Sequence, residues 1–253
     1  MFRRMRPIRP VLPAAGPAAF AGANLAGADF AGLSLCNADL RRADLTGCDL
    51  RRADLTGADL SGARLEAVLL DEAVLDDVCM SGDTVIRGVN LRGIRMRRAT
   101  LTGIDLSGRD LSHADLSGAR LDAARLYRAT FREAILREAN LAGADLEEAD
   151  LMGADLSGAD LTGARLCISN LMRTRFVGAR LLGADLTLAG LEDADLTDAD
   201  LSGAILRRAN IERTNVQHAS FIGANLRRAR LKQVRGWDTA RLDQANLIDL
   251  TQE

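Results

Sequence analysis

Leucine recurs at every fifth position through the middle of this 253-residue chain. In the stretch 139–166, which reads ANLAGADLEEADLMGADLSGADLTGARL, an alanine stands two positions before each leucine and a polar residue, usually aspartate, stands between them. A period of five matches neither the 3.6-residue period of a helix nor the two-residue period of a strand. It instead predicts a repeat architecture, in which each unit buries its apolar side chains against its neighbours.

The rhythm also indicates where the repeat domain begins and ends. Residues 1–17 contain all four prolines and several arginines, and we expect a flexible basic Pro-rich tail or an N-terminal cap there. Residues 18–250 are predicted to form one repeat domain, followed by a short tail at 251–253. Within that domain the five-residue rhythm shifts by one residue twice, so we expect phase slips near 84–90 and near 232–237. Val85 takes the last leucine position before the first slip.

The repeated unit, A(D/N)LXX over roughly residues 18–250, resembles the signature of the pentapeptide-repeat family. The resemblance implies an all-β fold, a right-handed quadrilateral parallel β-helix in which four repeats make one square coil. At twenty residues a coil, the repeats would give a solenoid of about 11–12 coils. The residue chemistry agrees, because a small residue and a leucine can fill a narrow dry interior while the polar residue between them points outward.

The position just before each alanine is where the backbone would turn a corner, and Gly153 is one of many glycines there. A corner that needs a positive φ, as in a type II turn, selects glycine. The same position also holds Arg42, Arg52, Glu148 and Asp198. These residues suggest that some corners use another turn type. Arg109 takes an inner alanine position, and we expect a local distortion that lets its charged head reach water.

Nothing in the sequence favours catalysis or a bound cofactor. No common catalytic or nucleotide-binding motif occurs. His113 and His218 lie about five coils apart, roughly 25 Å at the usual strand spacing, which is too far to share a metal ion. Four cysteines without paired spacing indicate a reduced, cytoplasmic protein, and no apolar run approaches the length of a membrane span. We therefore predict a non-enzymatic bacterial protein with no cofactor and no metal.

The charge pattern supplies a candidate site. Between residues 141 and 200 there are twelve acids against four arginines, a net charge of eight negative on three coils. Three coils span about 14 Å, over which duplex DNA carries roughly eight phosphates. The candidate acidic partner-binding surface comprises Asp145, Glu147, Glu148, Asp150, Asp155, Asp160, Asp185, Glu192, Asp193, Asp195, Asp198 and Asp200.

Other charges count against a simple DNA mimic. The whole chain has a net charge of only −2, and basic bands flank the acidic one at 87–98 and 207–241. Residues twenty apart would stack in a column, and one such column reads Asp105, Arg125, Asp145, Arg165, Asp185. Alternating charges of this kind stabilise stacking by about 0.2–1 kcal/mol per pair. Direct nucleic-acid binding is disfavoured, since aromatic residues for base stacking are nearly absent.

The family resemblance implies a binding protein whose partner is another protein. Members that confer quinolone-type resistance act on DNA gyrase or topoisomerase IV, where the rod resembles B-form DNA. The first hypothesis is therefore interaction with a type II topoisomerase by partial DNA mimicry, giving protection from or resistance to its inhibitors. The alternative is a general protein-interaction scaffold with no DNA mimicry.

The open end of a β-helix exposes unpaired backbone and core, so it needs a cover. The apolar residues near the C-terminus are Trp237, Leu247, Ile248 and Leu250. They are predicted either to cap that end or to bury it against a second copy of the chain in a homodimer.

Overall fold

The computed structural model describes residues 18–250, so the predicted tails at 1–17 and 251–253 lie outside the described residues. The described chain winds into a right-handed square column, in which parallel backbone bridges join residues twenty apart, such as Asp145 with Arg165. Within this range only two segments are longer strands, β1 at Arg64–Glu66 and β2 at Val85–Arg87. They pair in parallel with Arg64 opposite Val85. The predicted parallel β-helix is therefore confirmed.

Each pentapeptide uses its backbone hydrogen bonds in the same way. The Ala159 amide donates to the Leu156 carbonyl at 3.0 Å, which closes the corner between two faces. The Leu161 amide donates to Arg180 of the next coil at 2.7 Å. Because the bonds run along the column from coil to coil, stacking replaces the sheet edge that an isolated coil would expose.

The interior is made of the alanine and leucine positions that the sequence predicts. Ala154, Leu156, Ala159 and Leu161 are all 0% exposed. Five described phenylalanines take leucine positions: Phe20, in the first coil, is partly buried, and the rings of Phe30, Phe131, Phe176 and Phe221 are fully buried. The residue between each inner pair points outward, so the core is one continuous apolar column.

The corners differ from the sequence expectation. The predicted second turn type at Arg42, Arg52, Glu148 and Asp198 is wrong, because their φ angles are 56°, 58°, 57° and 59°. Gly158, at an equivalent corner, has a φ of 70°. The amide of the corner residue is fixed by the next coil, as where Arg42 donates to Ser61 at 2.9 Å. Coil stacking thus imposes the left-handed conformation on non-glycine corner residues of several types. The conformational strain costs roughly 1–2 kcal/mol for each of them.

Two neighbouring alanines offer a test of that corner strain. Ala123 is an exposed corner residue with a φ of 54°, whereas Ala124 is a fully buried inner residue. Ala124→Gly is expected to lower the free energy of unfolding by about 1.5 kcal/mol, through a lost buried methyl and added chain entropy. Ala123→Gly is expected to stay within about 0.5 kcal/mol of wild type, since relieved strain offsets that entropy. Urea unfolding measures both, and equal losses would contradict the strain.

The two phase slips appear as a change in bridge spacing. Asp59 pairs with Cys79, twenty residues on, but Arg64 pairs with Val85, twenty-one residues on. The first extra residue therefore lies between Cys79 and Val85, earlier than the predicted 84–90. Ile86, 7% exposed, takes the leucine position that the sequence pattern gave to Val85. The physical reason is a displaced corner, in which the Thr84 amide donates to Ser81 at 3.0 Å.

The second extra residue lies between Arg235 and Arg241. Asn215 pairs with Arg235, twenty residues on, whereas Ser220 pairs with Arg241, twenty-one residues on. A turn in which the Thr239 amide donates to the Gly236 carbonyl at 3.1 Å accommodates the additional residue. This range overlaps the end of the predicted interval 232–237.

The first slip also interrupts the coil stacking. Residues 84–91 form no backbone hydrogen bond with residues 104–111, although all these residues are described. Arg109, at an inner position, is only half-buried and lines the cleft that opens there, together with Asp83 and Asp105. The regular ladder resumes where Arg95 pairs with Asp115. The backbone ladder is therefore interrupted beside the first phase slip.

Candidate functional site

The acidic residues of the candidate surface first of all serve the fold. Asp160 accepts the Thr162 amide at 2.9 Å and the Thr162 hydroxyl at 2.6 Å through the same oxygen, Oδ1. These hydrogen bonds lower the pKa of Asp160 despite partial burial. The same amide contact is made by Asp145, Asp150, Asp155, Asp185, Asp195 and Asp200. The signal was present in the sequence as Asp-Leu-Ser and Asp-Leu-Thr, a spacing suited to an Asx turn.

The turn needs an acceptor and does not need a charge. Asn140 and Asn170 sit at the same outer position and accept the amide two residues on, at 3.0 and 3.2 Å. Asn210 does so in a later coil, also at 3.2 Å. Each carboxylate keeps a second oxygen, Oδ2, that the turn does not use. The negative charge of residues 141–200 is therefore available for another role.

The structure spreads the twelve predicted residues around the column. Asp145, Asp150, Asp155 and Asp160 follow one another by fives, so they lie on four different faces. Only residues twenty or forty apart share a face, such as Asp160 and Asp200. The band is thus acidic on all sides rather than along one side.

Arginines neutralise half of the band. The acids with an ion pair within 4 Å are Asp145 and Glu147 with Arg165, Glu148 with Arg128, Asp150 with Arg132, Asp155 with Arg137 and Arg175, and Asp193 with Arg213. The other six have no ion pair within the described residues. We call them the open acidic set: Asp160, Asp185, Glu192, Asp195, Asp198 and Asp200. Four of these six lie within one half-coil, at 192–200, without an intervening base.

The predicted charge columns form, but their contacts are long. Arg125 lies 3.9 Å from Asp105, and Arg165 lies 3.9 Å from Asp145. Closer pairs join residues eighteen apart, as between Arg137 and Asp155 at 2.6 Å. Sequence analysis missed this diagonal, whose signal is an arginine directly after a leucine and an outer aspartate in the next coil. Since the arginines are more than half exposed, each pair contributes little stability.

Histidines and cysteines form no metal centre in the described range. No group of three or more His, Cys, Asp or Glu side chains is arranged to hold an ion there. His113 lies at a corner, where Nε2 is 2.8 Å from Arg92 and Nδ1 is 3.2 Å from Glu133. All four cysteines are free thiols. Burial raises the pKa of the Cys48 thiol, which therefore stays protonated as a core residue.

The C-terminal set divides into two pairs. Trp237 packs on Phe221 with ring centroids 5.7 Å apart, and Leu250 is partly buried against the core. Leu247 and Ile248 are instead 36% and 57% exposed. Trp237 and Leu250 thus cover the end of the core, while the other two face solvent.

Among residues 18–250 the structure contains no helix with the length and apolar character of a membrane span.

Known proteins resemble this chain in sequence and in structure. The sequence model for pentapeptide repeats matches in eight copies, over residues 18–57, 48–82, 101–137, 136–167, 169–208 and 204–235. A trypsin-treated form of QnrB1, a plasmid-mediated fluoroquinolone resistance protein, is 19% identical over 64% of this chain and 84% of its own, with a TM-score of 0.51. HetL, a pentapeptide repeat protein involved in heterocyst differentiation regulation in the cyanobacterium Nostoc sp. strain PCC 7120, is 29% identical over 87% of each chain, with a TM-score of 0.27. No curated protein matches the sequence.

Proposed function

Since this chain belongs to the pentapeptide-repeat family, we propose that it is a non-enzymatic, cytoplasmic rod that binds a type II topoisomerase, DNA gyrase. The rod engages the enzyme's DNA-binding surface by partial B-DNA mimicry and so protects the enzyme from topoisomerase inhibitors. The observation that supports the proposal is the open acidic set, six carboxylates that have no ion pair within 4 Å among the described residues.

The spacing of these carboxylates suits a partner that binds phosphates. Coils stack at about 4.8 Å, so the open acidic set spans roughly 10 Å along the rod. Duplex DNA carries one charge per about 1.7 Å of axis, or roughly six over that length. The charge per unit length matches that of DNA only over the open acidic set, so the mimicry is partial.

Hydrogen bonds favour the ionised form of two carboxylates in the open acidic set. The Thr162 hydrogen bonds lower the pKa of Asp160, while for Asp185 the Thr187 hydrogen bonds outweigh the opposing effect of burial. Both carboxylates are therefore ionised at neutral pH. Their Oδ2 atoms are left to face an arginine or lysine of the partner.

QnrB1 shares the fold with this chain, and its 19% identity supports nothing beyond the fold. Its description as a fluoroquinolone resistance protein makes gyrase the first enzyme to test. A second function, a general protein-interaction scaffold without mimicry, is favoured by a different observation. The net charge of the whole chain is −2, so its long-range field differs from that of DNA.

A supercoiling assay with purified gyrase, with and without a quinolone, tests the proposal. The informative variant changes Asp160, Asp185, Asp195, Asp198 and Asp200 to asparagine. It removes five charges and retains the turn acceptor at every position except Asp198, which is a corner residue. Wild-type protein is expected to inhibit supercoiling or protect it from the quinolone at micromolar concentration. The variant is expected to need about tenfold more protein, and the wild-type effect should weaken with added salt.

The matched control changes five aspartates of the first coils to asparagine: Asp39, Asp44, Asp49, Asp54 and Asp59. It alters the net charge equally and leaves the band untouched, so its activity should stay within about twofold of wild type. Equal losses in both variants would show that net charge acts rather than the open acidic set. No wild-type effect at micromolar protein would reject gyrase as the partner and leave the scaffold function.

Homodimer formation at the C-terminal end remains part of the proposal. Leu247 and Ile248 expose apolar surface on the last described coil, whereas Trp237 and Leu250 already pack on their own core. We assign the end-to-end contact to the exposed pair, because burial of apolar surface drives association.

A further inference from the structure

Five corners of the described column carry two consecutive arginines, and at four of them a carboxylate of the chain binds at least one of the two. The five pairs are Arg41 with Arg42, Arg51 with Arg52, Arg97 with Arg98, Arg207 with Arg208, and Arg227 with Arg228. The carboxylates within 4 Å of the first, second, third and fifth pairs include those of Asp39, Asp49, Asp76 and Asp249. Arg207 and Arg208 form no ion pair with a described residue. The fourth pair is therefore the exception.

This exceptional pair also stacks on residues of like charge. The Arg208 amide donates to the Arg227 carbonyl of the next coil at 3.0 Å, so Arg207 and Arg208 lie beside Arg227 and Arg228. All four residues are exposed. Like charges directly opposite one another destabilise neighbouring strands. The fold gains nothing from this arrangement, whereas an anion from outside the chain would relieve the repulsion. We call these four residues the arginine corner.

The second pair of the arginine corner shows how adjacent arginines converge on an anion. The Nε atoms of Arg227 and Arg228 lie 3.6 and 3.5 Å from the same oxygen, Oδ2 of Asp249. The corner backbone is alike in the two pairs, with a φ of 57° at Arg208 and 60° at Arg228. Arg207 and Arg208 can therefore converge on one anionic oxygen in the same way. The planar donor fork of arginine matches a phosphate group.

The charges around the arginine corner lie on one side of the column. Residues 207–232 contain seven bases and one acid, so seven minus one gives a net charge of +6 with His218 neutral. Residues 214–226, which form the other three faces of this coil, contain no Lys, Arg, Asp or Glu. The acid, Glu212, lies across the remaining face at its other corner and binds Arg230 at 2.6 Å. The positive field is therefore concentrated on one face and its two corners.

Much of the open acidic set lies on the opposite side. Arg208 follows Asp198 by ten residues, which is half a coil, so the two occupy diagonally opposite corners of the square column. Asp195 and Asp200 lie on the two faces that meet at the Asp198 corner. The width of the column therefore separates these three carboxylates from an anion bound at the arginine corner.

We propose that the arginine corner binds the phosphate backbone of duplex DNA without sequence preference. Arginine contacts to phosphates fix the position of a protein on a duplex and carry no sequence information. The scarcity of aromatic residues disfavours the binding of single strands, whose bases stack on aromatic rings, but phosphate contacts need no such residues. This interaction goes beyond the gyrase proposal and does not depend on it.

An acidic protein is a poorer fit to this surface. The core of a protein–protein interface is depleted in charge, whereas protein–DNA interfaces are much more positively charged. None of the exposed large apolar side chains lies within residues 207–232. The two on the same edge, Leu188 and Ile248, lie one coil beyond the arginine corner on either side. The surface between them thus offers guanidinium groups and no apolar anchor.

Fluorescence anisotropy of a labelled DNA duplex, titrated with the full-length protein, tests the proposal. Wild-type protein is expected to bind at micromolar concentration in about 50 mM salt, and four phosphate contacts predict a roughly hundredfold loss of affinity at about 200 mM. Arg207→Gln combined with Arg208→Gln is expected to weaken binding at least about tenfold and to halve the salt dependence. Glutamine already occupies this corner position at Gln233 and Gln244, each with a φ of 58°. The variant should therefore melt no lower than wild type.

The matched control is Arg51→Gln combined with Arg52→Gln. It removes the same charge from a pair that Asp49 and Glu72 already bind, so its affinity for the duplex should stay within about twofold of wild type. Equal losses in the two double variants would show that net charge acts rather than the arginine corner, and would overturn the proposal. Absence of wild-type binding in 50 mM salt would overturn it as well. If poly-glutamate displaced the duplex at an equal concentration of charge, the arginine corner would instead be assigned to an acidic protein.

Discussion

Phe176→Ala is expected to lower the free energy of unfolding by about 3–5 kcal/mol. The ring is 0% exposed at a leucine position. Its backbone is bonded to the coils on both sides, from the Phe176 amide to Asp195 at 2.7 Å and from the Arg175 amide to Ala154 at 2.9 Å. Because these bonds fix the coil spacing, the walls cannot collapse into the cavity. Urea unfolding followed by circular dichroism measures the loss.

Phe176→Leu is the matched control, since Leu156 and Leu196 occupy the same position one coil before and one coil after. Leucine would leave a small gap, and we expect a loss of about 1 kcal/mol. If the alanine variant were no less stable than the leucine variant, the column would have to contract around the missing ring. That result would contradict a rigid core held at fixed coil spacing.

The sequence was sufficient to predict the fold, because its five-residue period indicates a repeat architecture and its resemblance to the pentapeptide-repeat family implies the square coil. An inner alanine, an outer polar residue and an inner leucine, as at Ala159, Asp160 and Leu161, define the faces wherever they recur. The corners were mispredicted for a physical reason. Residue preference at an isolated turn favours glycine, but at Arg42 the bond from the next coil decides the conformation. Tertiary stacking there overrides local propensity.

The candidate site was harder to predict than the fold. The sequence gives twelve acids, yet it does not show which of them an arginine neutralises. Asp155 is paired with Arg137 at 2.6 Å, whereas Asp160 has no such partner among the described residues, although both stand at outer positions of adjacent repeats. The difference depends on side-chain reach between residues eighteen apart, which the five-residue pattern does not encode. The sequence likewise did not predict that Ile168 and Leu188 are both exposed at corners of consecutive coils.

Asp76 illustrates a stabilising contact that no repeat pattern indicates. It lies near the first phase slip, with a side chain only 4% exposed, and accepts hydrogen bonds from Arg95 at 2.6 Å and Arg97 at 2.8 Å. The Arg97 amide also donates to it at 3.0 Å. Asp76 therefore joins two consecutive coils close to where residues 84–91 lose their bonds to the next coil. Its carboxylate adds side-chain hydrogen bonds between two coils that the backbone also joins, from the Leu75 amide to Arg95 at 2.9 Å and from the Asp77 amide to Arg97 at 2.8 Å.

Asp76→Asn is accordingly expected to lower the free energy of unfolding by about 2 kcal/mol at pH 7. Burial opposes ionisation of Asp76, hydrogen bonds from Arg97 and Arg95 favour it, and the net result lowers the pKa to about 2 from an ordinary value of 3.8. A carboxyl with a lowered folded-state pKa stabilises the fold above pH 4, and that contribution is lost as the pH falls toward 2. The difference in melting temperature between wild type and variant should therefore shrink from pH 4 to pH 2. Asp77→Asn, which removes an exposed ion pair with Arg98, is the control and should lower the free energy of unfolding by less than about 1 kcal/mol. If the difference in melting temperature between wild type and Asp76→Asn did not change with pH, the ionic contribution of Asp76 would be contradicted.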